Sequence, residues 1–280
     1  MKVIIAEHAG YCYGVERALK LAKEASVNCP KPIVTLGPII HNPQVVDWLK
    51  SLGIFPANDI DKIKQGTVII RSHGIDPAIA RHLKSQGLKV VDATCPFVKK
   101  AQSCARQLIK DGYEVLIVGE RNHPEISGIL AYADQKAHVI EKAADLKKID
   151  KKWKKLGVVV QTTQSEENLR EIVADLSTRA VELKVFNTIC DATTKRQGAA
   201  KELAQTTDVV LVVGGKNSAN TTRLAKICKG INPNTYHIET TAELNGNKLR
   251  NARIVGVTAG ASTADWILKE VISVVKEMKS

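Results

Sequence analysis

Short apolar runs and longer stripes of helical period alternate along this chain, and the alternation recurs three times. The runs Lys2-Val-Ile-Ile-Ala6, Lys89-Val-Val-Asp-Ala93 and Lys184-Val-Phe-Asn-Thr188 read as strands, and each soon reaches a cysteine: Cys12, Cys95 and Cys190. An apolar stripe of helical period follows each cysteine. Val15, Ala18, Leu19 and Ala22 share one face, as do Val98, Ala101, Ala105 and Leu108, and then Ala199, Ala200, Leu203 and Ala204. Next come runs of the kind buried on both faces of a sheet, each ending in glycine: Ile33-Val-Thr-Leu-Gly37, Val115-Leu-Ile-Val-Gly119 and Val210-Leu-Val-Val-Gly214. The cysteine-to-glycine spacing is 25, 24 and 24 residues, and four residues beyond each glycine stands His41, His123 or Ser218.

The register continues past a further helix. Val68-Ile-Ile70, Val158-Val-Val160 and Ile254-Val-Gly-Val257 lead into Ser72-His73-Gly74, Gln161-Thr162-Thr163 and Thr258-Ala-Gly-Ala-Ser262. Asp76-Pro77, Ser165 with Glu166 and Glu167, and Ser262 with Asp265 are helix-start signals. Weaker strands at 53–57, 138–141 and 236–239 complete each copy. The pattern predicts three α/β repeat units, 1–87, 88–182 and 183–280, with mainly parallel strands joined by right-handed crossovers. Ligands of such sheets gather beyond the carboxyl ends of the strands, where every polar tip named above lies. The expected fold class is α/β, with three pseudo-symmetric domains in a trefoil around one central cavity.

Composition changes this picture little. The chain has 280 residues, 44% hydrophobic and 25% charged, as expected of a soluble globular protein. No apolar run approaches the roughly 20 residues of a membrane span. Met1 leads straight into a strand too short for a signal-peptide core, so a cytoplasmic protein is expected. The net charge of +12 favours anionic ligands or acidic partners. Nucleic acid is disfavoured: aromatics are 4%, the lysines are scattered, and no zinc-finger or RNA-binding signature appears. The lysine-rich run 147–155 reads as a solvated linker or helix face.

Six cysteines without an export signal do not suggest a disulfide framework. Cys104 and Cys228 fall on apolar helix stripes and Cys29 lies in a Cys-Pro turn, which makes all three structural. Cys12, Cys95 and Cys190 occupy matched loops at strand ends. If the repeats surround a common axis, three thiolates meet, and thiolates are the usual ligands of a 4Fe–4S cluster. Three of them leave one iron without a protein ligand, the open position typical of a catalytic metal centre. The paired cysteines of structural zinc sites are absent.

The polar tips supply His41, His73, His123, Thr162, Thr163, Ser218, Asn220 and Ser262, neutral or weakly basic groups at matched positions. With helix N-termini beside them they suit phosphate oxygens. Glu125 is the single carboxylate among them, and two readings of it stand level. In a water-poor cavity its pKa rises and it becomes a proton donor; alternatively it is an acidic residue favoured by the dipole of a helix's first turn. Neither a Walker A loop nor a strand-linked Gly-x-Gly-x-x-Gly is present.

Together these stretches resemble the LytB-type 4-hydroxy-3-methylbut-2-enyl diphosphate reductase family over essentially the whole chain. The resemblance rests on Ala9-Gly-Tyr-Cys-Tyr-Gly-Val-Glu-Arg-Ala18, His41-Asn-Pro43, Arg71-Ser-His-Gly74, Asp92-Ala-Thr-Cys-Pro96 and Asn122-His-Pro-Glu125. It continues through Gln161-Thr-Thr163, Cys190-Asp-Ala-Thr-Thr-Lys-Arg-Gln197, Gly215-Lys-Asn-Ser-Ala-Asn220 and Val257-Thr-Ala-Gly-Ala-Ser262. It implies the last step of the non-mevalonate isoprenoid pathway, in which a small allylic diphosphate is reductively dehydroxylated to isopentenyl and dimethylallyl diphosphate. It implies one 4Fe–4S cluster on Cys12, Cys95 and Cys190, with one iron lacking a protein ligand. His41, His73, His123, Ser218, Asn220 and Ser262 would hold the diphosphate. Glu125 would relay protons with Thr162, with Thr163 as its neighbour. Many members carry Ser-Ser-Asn where this chain has Ser218-Ala219-Asn220, so Ala219 offers only its backbone.

The chain has no flavin or nicotinamide motif, so electrons are expected from a small acidic ferredoxin or flavodoxin drawn to the basic surface. The competing expectation is a 4Fe–4S hydro-lyase acting on a small anionic substrate, which would need no reductant.

Overall fold

The alternation of periods becomes an alternation of strands and helices, with short 3-10 turns at 60–62 and 143–148 in place of an α-helix, in the computed structural model, which describes residues 1–278. Along the chain come β1 (Lys2–Ile5), α1 (Tyr13–Asn28), β2 (Ile33–Leu36), α2 (Pro43–Ser51), β3 (Ile54–Ala57), β4 (Thr67–Ile70) and α3 (Pro77–Ser85). The succession recurs as β5 (Lys89–Asp92), α4 (Pro96–Lys110), β6 (Glu114–Val118), α5 (Pro124–Tyr132), β7 (His138–Ile140), β8 (Trp153–Val160) and α6 (Glu166–Leu176). It recurs again as β9 (Ala180–Phe186), α7 (Asp191–Thr206), β10 (Val209–Val213), α8 (Ala219–Ile231), β11 (Thr235–Ile238), α9 (Gly246–Leu249), β12 (Ile254–Ala259) and α10 (Asp265–Glu277). Among the described residues no helix is long and apolar enough to cross a membrane.

The chain divides into two compact units. The first comprises Met1–Glu16, Ile40–Trp48 and the chain from Asp191 onward; the second comprises Arg17–Ile39 and Leu49–Cys190. The second unit holds two parallel four-stranded sheets, ordered β3-β2-β4-β5 and β7-β6-β8-β9. The first holds one, ordered β1-β12-β10-β11. All three follow one plan, in which the leading strand of the next repeat closes the sheet, and for the last repeat that strand is β1. Sheets and sequence repeats are therefore out of phase by one strand.

The sheet β7-β6-β8-β9 shows how the elements bury each other. Successive side chains of a strand point to opposite faces. Val115 and Ile117 pack with Ala101, Ala105 and Leu108 of α4 and Ile126 and Ile129 of α5. Leu116 and Val118 pack on the other face with Leu169, Ile172 and Leu176 of α6. Both faces are covered, as parallel sheets require, which is why these strands read as unbroken apolar runs.

Two expectations change on inspection. The run 147–155 is neither linker nor helix face in its second half, because Trp153 is buried in a core and starts β8, with Lys154 and Lys155 outward. Ser262 does not start α10: that helix begins at Asp265 with Ala264 as its N-cap, and the Ser262 hydroxyl donates instead to the carbonyl of His41 (3.2 Å).

Candidate active site

In the second unit, β6 and β8 are neighbours in register, Val118 opposite Val160, so the loops that follow them emerge side by side. The first of these loops ends at His123, the N-cap of α5, whose Nδ1 accepts the backbone N–H of Glu125 (3.2 Å). That bond leaves the proton of a neutral His123 ring on Nε2, a donor. Pro124 occupies the first helical position, where its missing N–H costs nothing.

Glu125 is 1% exposed, and both of its oxygens accept from one residue of the second loop. The backbone N–H of Thr162 donates to Oε1 (2.7 Å) and the Thr162 hydroxyl to Oε2 (2.8 Å). Burial pushes the carboxyl up to about 7, against the opposing pull of the two Thr162 hydrogen bonds, with Glu120 adding to the rise. The loops are further tied by Gln161, whose Oε1 accepts from the N–H of Glu120 (2.9 Å) and whose Nε2 donates to the Thr163 hydroxyl (3.0 Å). Thr162, not Thr163, is thus the partner of Glu125. The rings of His73 and His123 meet edge to face, 5.3 Å between centroids. A carboxyl about half protonated near neutrality, with a hydroxyl on it, can deliver a proton.

Two of the three matched cysteines belong to this unit. Cys95 is the N-cap of α4, and its N–H donates to the Ser72 carbonyl (2.9 Å). Its loop is braced by the Arg17 guanidinium on the Thr94 carbonyl (3.1 Å) and by Asp92, which accepts the N–H of Thr94 (2.9 Å). Cys190 immediately precedes α7 and donates its N–H to the carbonyl of Thr162 (3.0 Å), so one threonine touches both Glu125 and the Cys190 backbone.

The first unit gathers the rest. Ser218 is the N-cap of α8 and accepts the N–H of Thr221 (3.4 Å). Ala219 and Asn220 form the start of that helix, both buried, and the Asn220 Nδ2 has no partner among the described residues. The Ser262 hydroxyl grips the carbonyl of His41, and a methyl group added at Gly215 would lie 2.5 Å from that same oxygen. His41, Ser262 and the loop 215–220 are therefore packed together. Cys12 stands directly ahead of α1, its N–H facing the Ala261 carbonyl (3.4 Å), while buried Arg196 donates to the Gly10 carbonyl (2.8 Å). None of the three cysteines is in a disulfide among the described residues. Each lies just ahead of a helix's first turn, where negative charge is favoured, and a soft thiolate donor set fits iron and sulfide.

A family model described as LytB protein matches residues 3–276. The chain belongs to the LytB protein family. A curated LytB relative from Aquifex aeolicus (strain VF5), 4-hydroxy-3-methylbut-2-enyl diphosphate reductase, is 50% identical over 280 residues, covering 99% of this chain and 96% of its own. A solved structure of (E)-4-hydroxy-3-methyl-but-2-enyl diphosphate reductase, the terminal enzyme of the non-mevalonate pathway, is 49% identical with a TM-score of 0.72, covering 99% of this chain and all of that one. The Plasmodium falciparum E-1-hydroxy-2-methyl-but-2-enyl-4-diphosphate reductase is 28% identical with a TM-score of 0.91, covering 98% of this chain and 87% of that one.

Three supporting groups of this LytB chain escaped the sequence. Gln161 and Arg196 lie inside the motifs quoted above, but nothing in their spacing announced that one ties two loops and the other holds the turn before Cys12. Arg17 too lies inside a quoted motif, Ala9 to Ala18, but nothing there announced its bond to the Thr94 carbonyl.

Proposed function

We propose that this chain reduces 4-hydroxy-3-methylbut-2-enyl diphosphate to isopentenyl and dimethylallyl diphosphate, consuming two electrons and two protons and releasing water. The observation that carries the reading is the buried Glu125 carboxyl, pushed up to about 7 and held at both oxygens by Thr162. Membership of the LytB family and the full-length relatives of that activity support it. Cys12, Cys95 and Cys190 would hold a 4Fe–4S cluster with one iron lacking a protein ligand. Such a cluster supplies single electrons and Lewis acidity when bound.

The protein's own part is binding, orientation and proton supply. His41, His73 and His123, with Ser218, Asn220 and, once its hydroxyl turns from the His41 carbonyl, Ser262, contact the diphosphate through neutral or weakly basic donors; Ala219 contributes its backbone N–H, and Thr163 stands as a further contact. Holding the diphosphate fixes the distal hydroxyl, so binding energy far from the reacting carbon is used for orientation. Glu125 gives up its proton to the departing oxygen, directly or through the Thr162 hydroxyl, and His123 orients Glu125 through its Nδ1 bond to the Glu125 N–H. A small acidic ferredoxin or flavodoxin delivers the electrons to the basic surface of this cytoplasmic enzyme.

The test is protein purified without air, assayed for iron and sulfide per chain and for turnover of the allylic diphosphate. Iron and sulfide near four each, with turnover that requires a reductant, is the expected result. Turnover without reductant would mark a hydro-lyase, and no turnover by fully loaded protein would overturn the proposal.

A further inference from the structure

We propose that Gln102 is a positioning residue, wedged between the backbones of Gly74 and Gly128, that sets the distance between the loop carrying His73 and the helix carrying Glu125. The inference rests on the function proposed above. All of the residues involved belong to the second unit.

Gln102 lies two helical turns past Cys95 on α4, so Cys95, Val98 and Gln102 share one face at the spacing i, i+3, i+7. Its side chain interrupts the apolar stripe of that helix and is 3% exposed. The amide Nε2 has no partner among the described residues. A buried amide donor left so is costly, and stability alone gives no reason for it.

The two neighbours of the amide supply a reason. A methyl group added at Gly74 would lie 2.6 Å from Gln102 Nε2, and one added at Gly128 would lie 3.0 Å from it. Gly74 directly follows His73 and has a φ of +74°, so its backbone also favours glycine. Gly128 stands three residues past Glu125 on α5, and its added methyl would lie 3.5 Å from the His73 carbonyl. The amide thus fills the seam where the helix of Cys95, the loop of His73 and the helix of Glu125 come together. A side chain at Gly74 would push the Gln102 amide aside, and one at Gly128 would require it to give by a few tenths of an ångström.

The test is a double-mutant cycle with Gln102→Ala and Gly128→Ala, read by steady-state kinetics on the allylic diphosphate and by calorimetry with inorganic diphosphate. Each single variant should lose about tenfold in kcat/KM, since displacements well under 1 Å at reacting groups are felt. Each should also bind inorganic diphosphate less tightly, because the His73 and His123 rings shift. The double variant should recover to within about threefold of wild type, its new methyl group occupying the space the amide vacates. Gln102→Met, which keeps length and bulk, should stay near wild type.

Wild-type kinetics and diphosphate affinity in Gln102→Ala would overturn the proposal. So would a double variant as slow as the product of the singles, or a loss in Gln102→Met as deep as in Gln102→Ala. Should Gln102→Ala fail to fold, Gln102→Ser takes its place in the cycle. A wild-type protein unable to turn over the allylic diphosphate sinks the functional reading alone, because inorganic diphosphate affinity still reports on the wedge.

Discussion

Glu125 and Asn220 occupy the same place in two copies of one repeat, and the protein treats them in opposite ways. Each stands two residues past the N-cap of a helix, His123 for α5 and Ser218 for α8, just beyond the carboxyl end of a central strand. In the second unit the neighbouring strand β8 ends in a loop that offers Thr162, and its N–H and hydroxyl satisfy both carboxyl oxygens. The matching position beyond β12 in the first unit is Ala261, which has no hydroxyl to give. Asn220 is buried with its Nδ2 lacking a partner among the described residues. One copy has turned its helix start into a sealed acid, the other into a donor with hydrogen-bonding capacity left over. Proton chemistry needs the first and anion binding the second.

The comparison breaks most visibly at the acid. Glu125→Gln keeps the shape and removes the proton, so kcat should fall by about a hundredfold or more, the usual worth of general acid catalysis. Iron content should hold, and inorganic diphosphate affinity should move little. Stability depends on the same proton. The native carboxyl titrates near 7 and an unfolded one near its ordinary value of 4.5. The folded state therefore binds the extra proton between those values, and Glu125 makes the fold progressively less stable as pH rises through that window. The cost reaches about 3 kcal/mol at most above it. The melting-temperature difference, variant minus wild type, should accordingly be more positive at pH 8 than at pH 5. A difference independent of pH would show that the carboxyl titrates normally.

Asn220→Ala should give the opposite kinetic split. On the proposed reading it removes a donor to the diphosphate that serves ground and transition states equally, so KM should rise about tenfold while kcat holds within about twofold. A fall in kcat with unchanged KM would erase the distinction between the two helix starts.

Much of this contrast was legible in the residues. The central strands are unbroken β-branched runs because helices cover both faces of each sheet, and the three cysteines stood out because the repeat placed them at matched tips. The phase of the sheets was not legible, since β1 pairs with β12 from the far end of the chain and no local pattern encodes that pairing. Ser262 looked like a helix start because serine caps are common, yet its hydroxyl is taken by the His41 carbonyl. The two readings of Glu125 could not be separated in sequence, because both place it in a first turn; what separates its surroundings is the Thr162 loop, 37 residues away. Gln102 gave a signal only as one polar residue in an apolar stripe, and its meaning lies in two glycines on other elements.

The mildest perturbation falls on the residue that opens α8, next to its cap. Ala219 stands where family members often carry a second serine, at the first helical position, with Pro124 its counterpart in the second unit. The N–H groups of a helix's first turn have no intrahelical acceptor and can serve an anion. The Ser218 oxygen already accepts one such N–H, that of Thr221. Ala219→Ser would add a hydroxyl donor beside these groups without disturbing the cap. An ordinary hydrogen bond contributes only about 0.5–1.5 kcal/mol net, because it replaces bonds to water. Calorimetry should therefore show inorganic diphosphate binding two- to tenfold tighter, about the range one such bond supplies, with kcat unchanged. Unchanged affinity would mean that the backbone donors of α8 already satisfy the anion, and that the first unit binds through its helix start more than through its side chains.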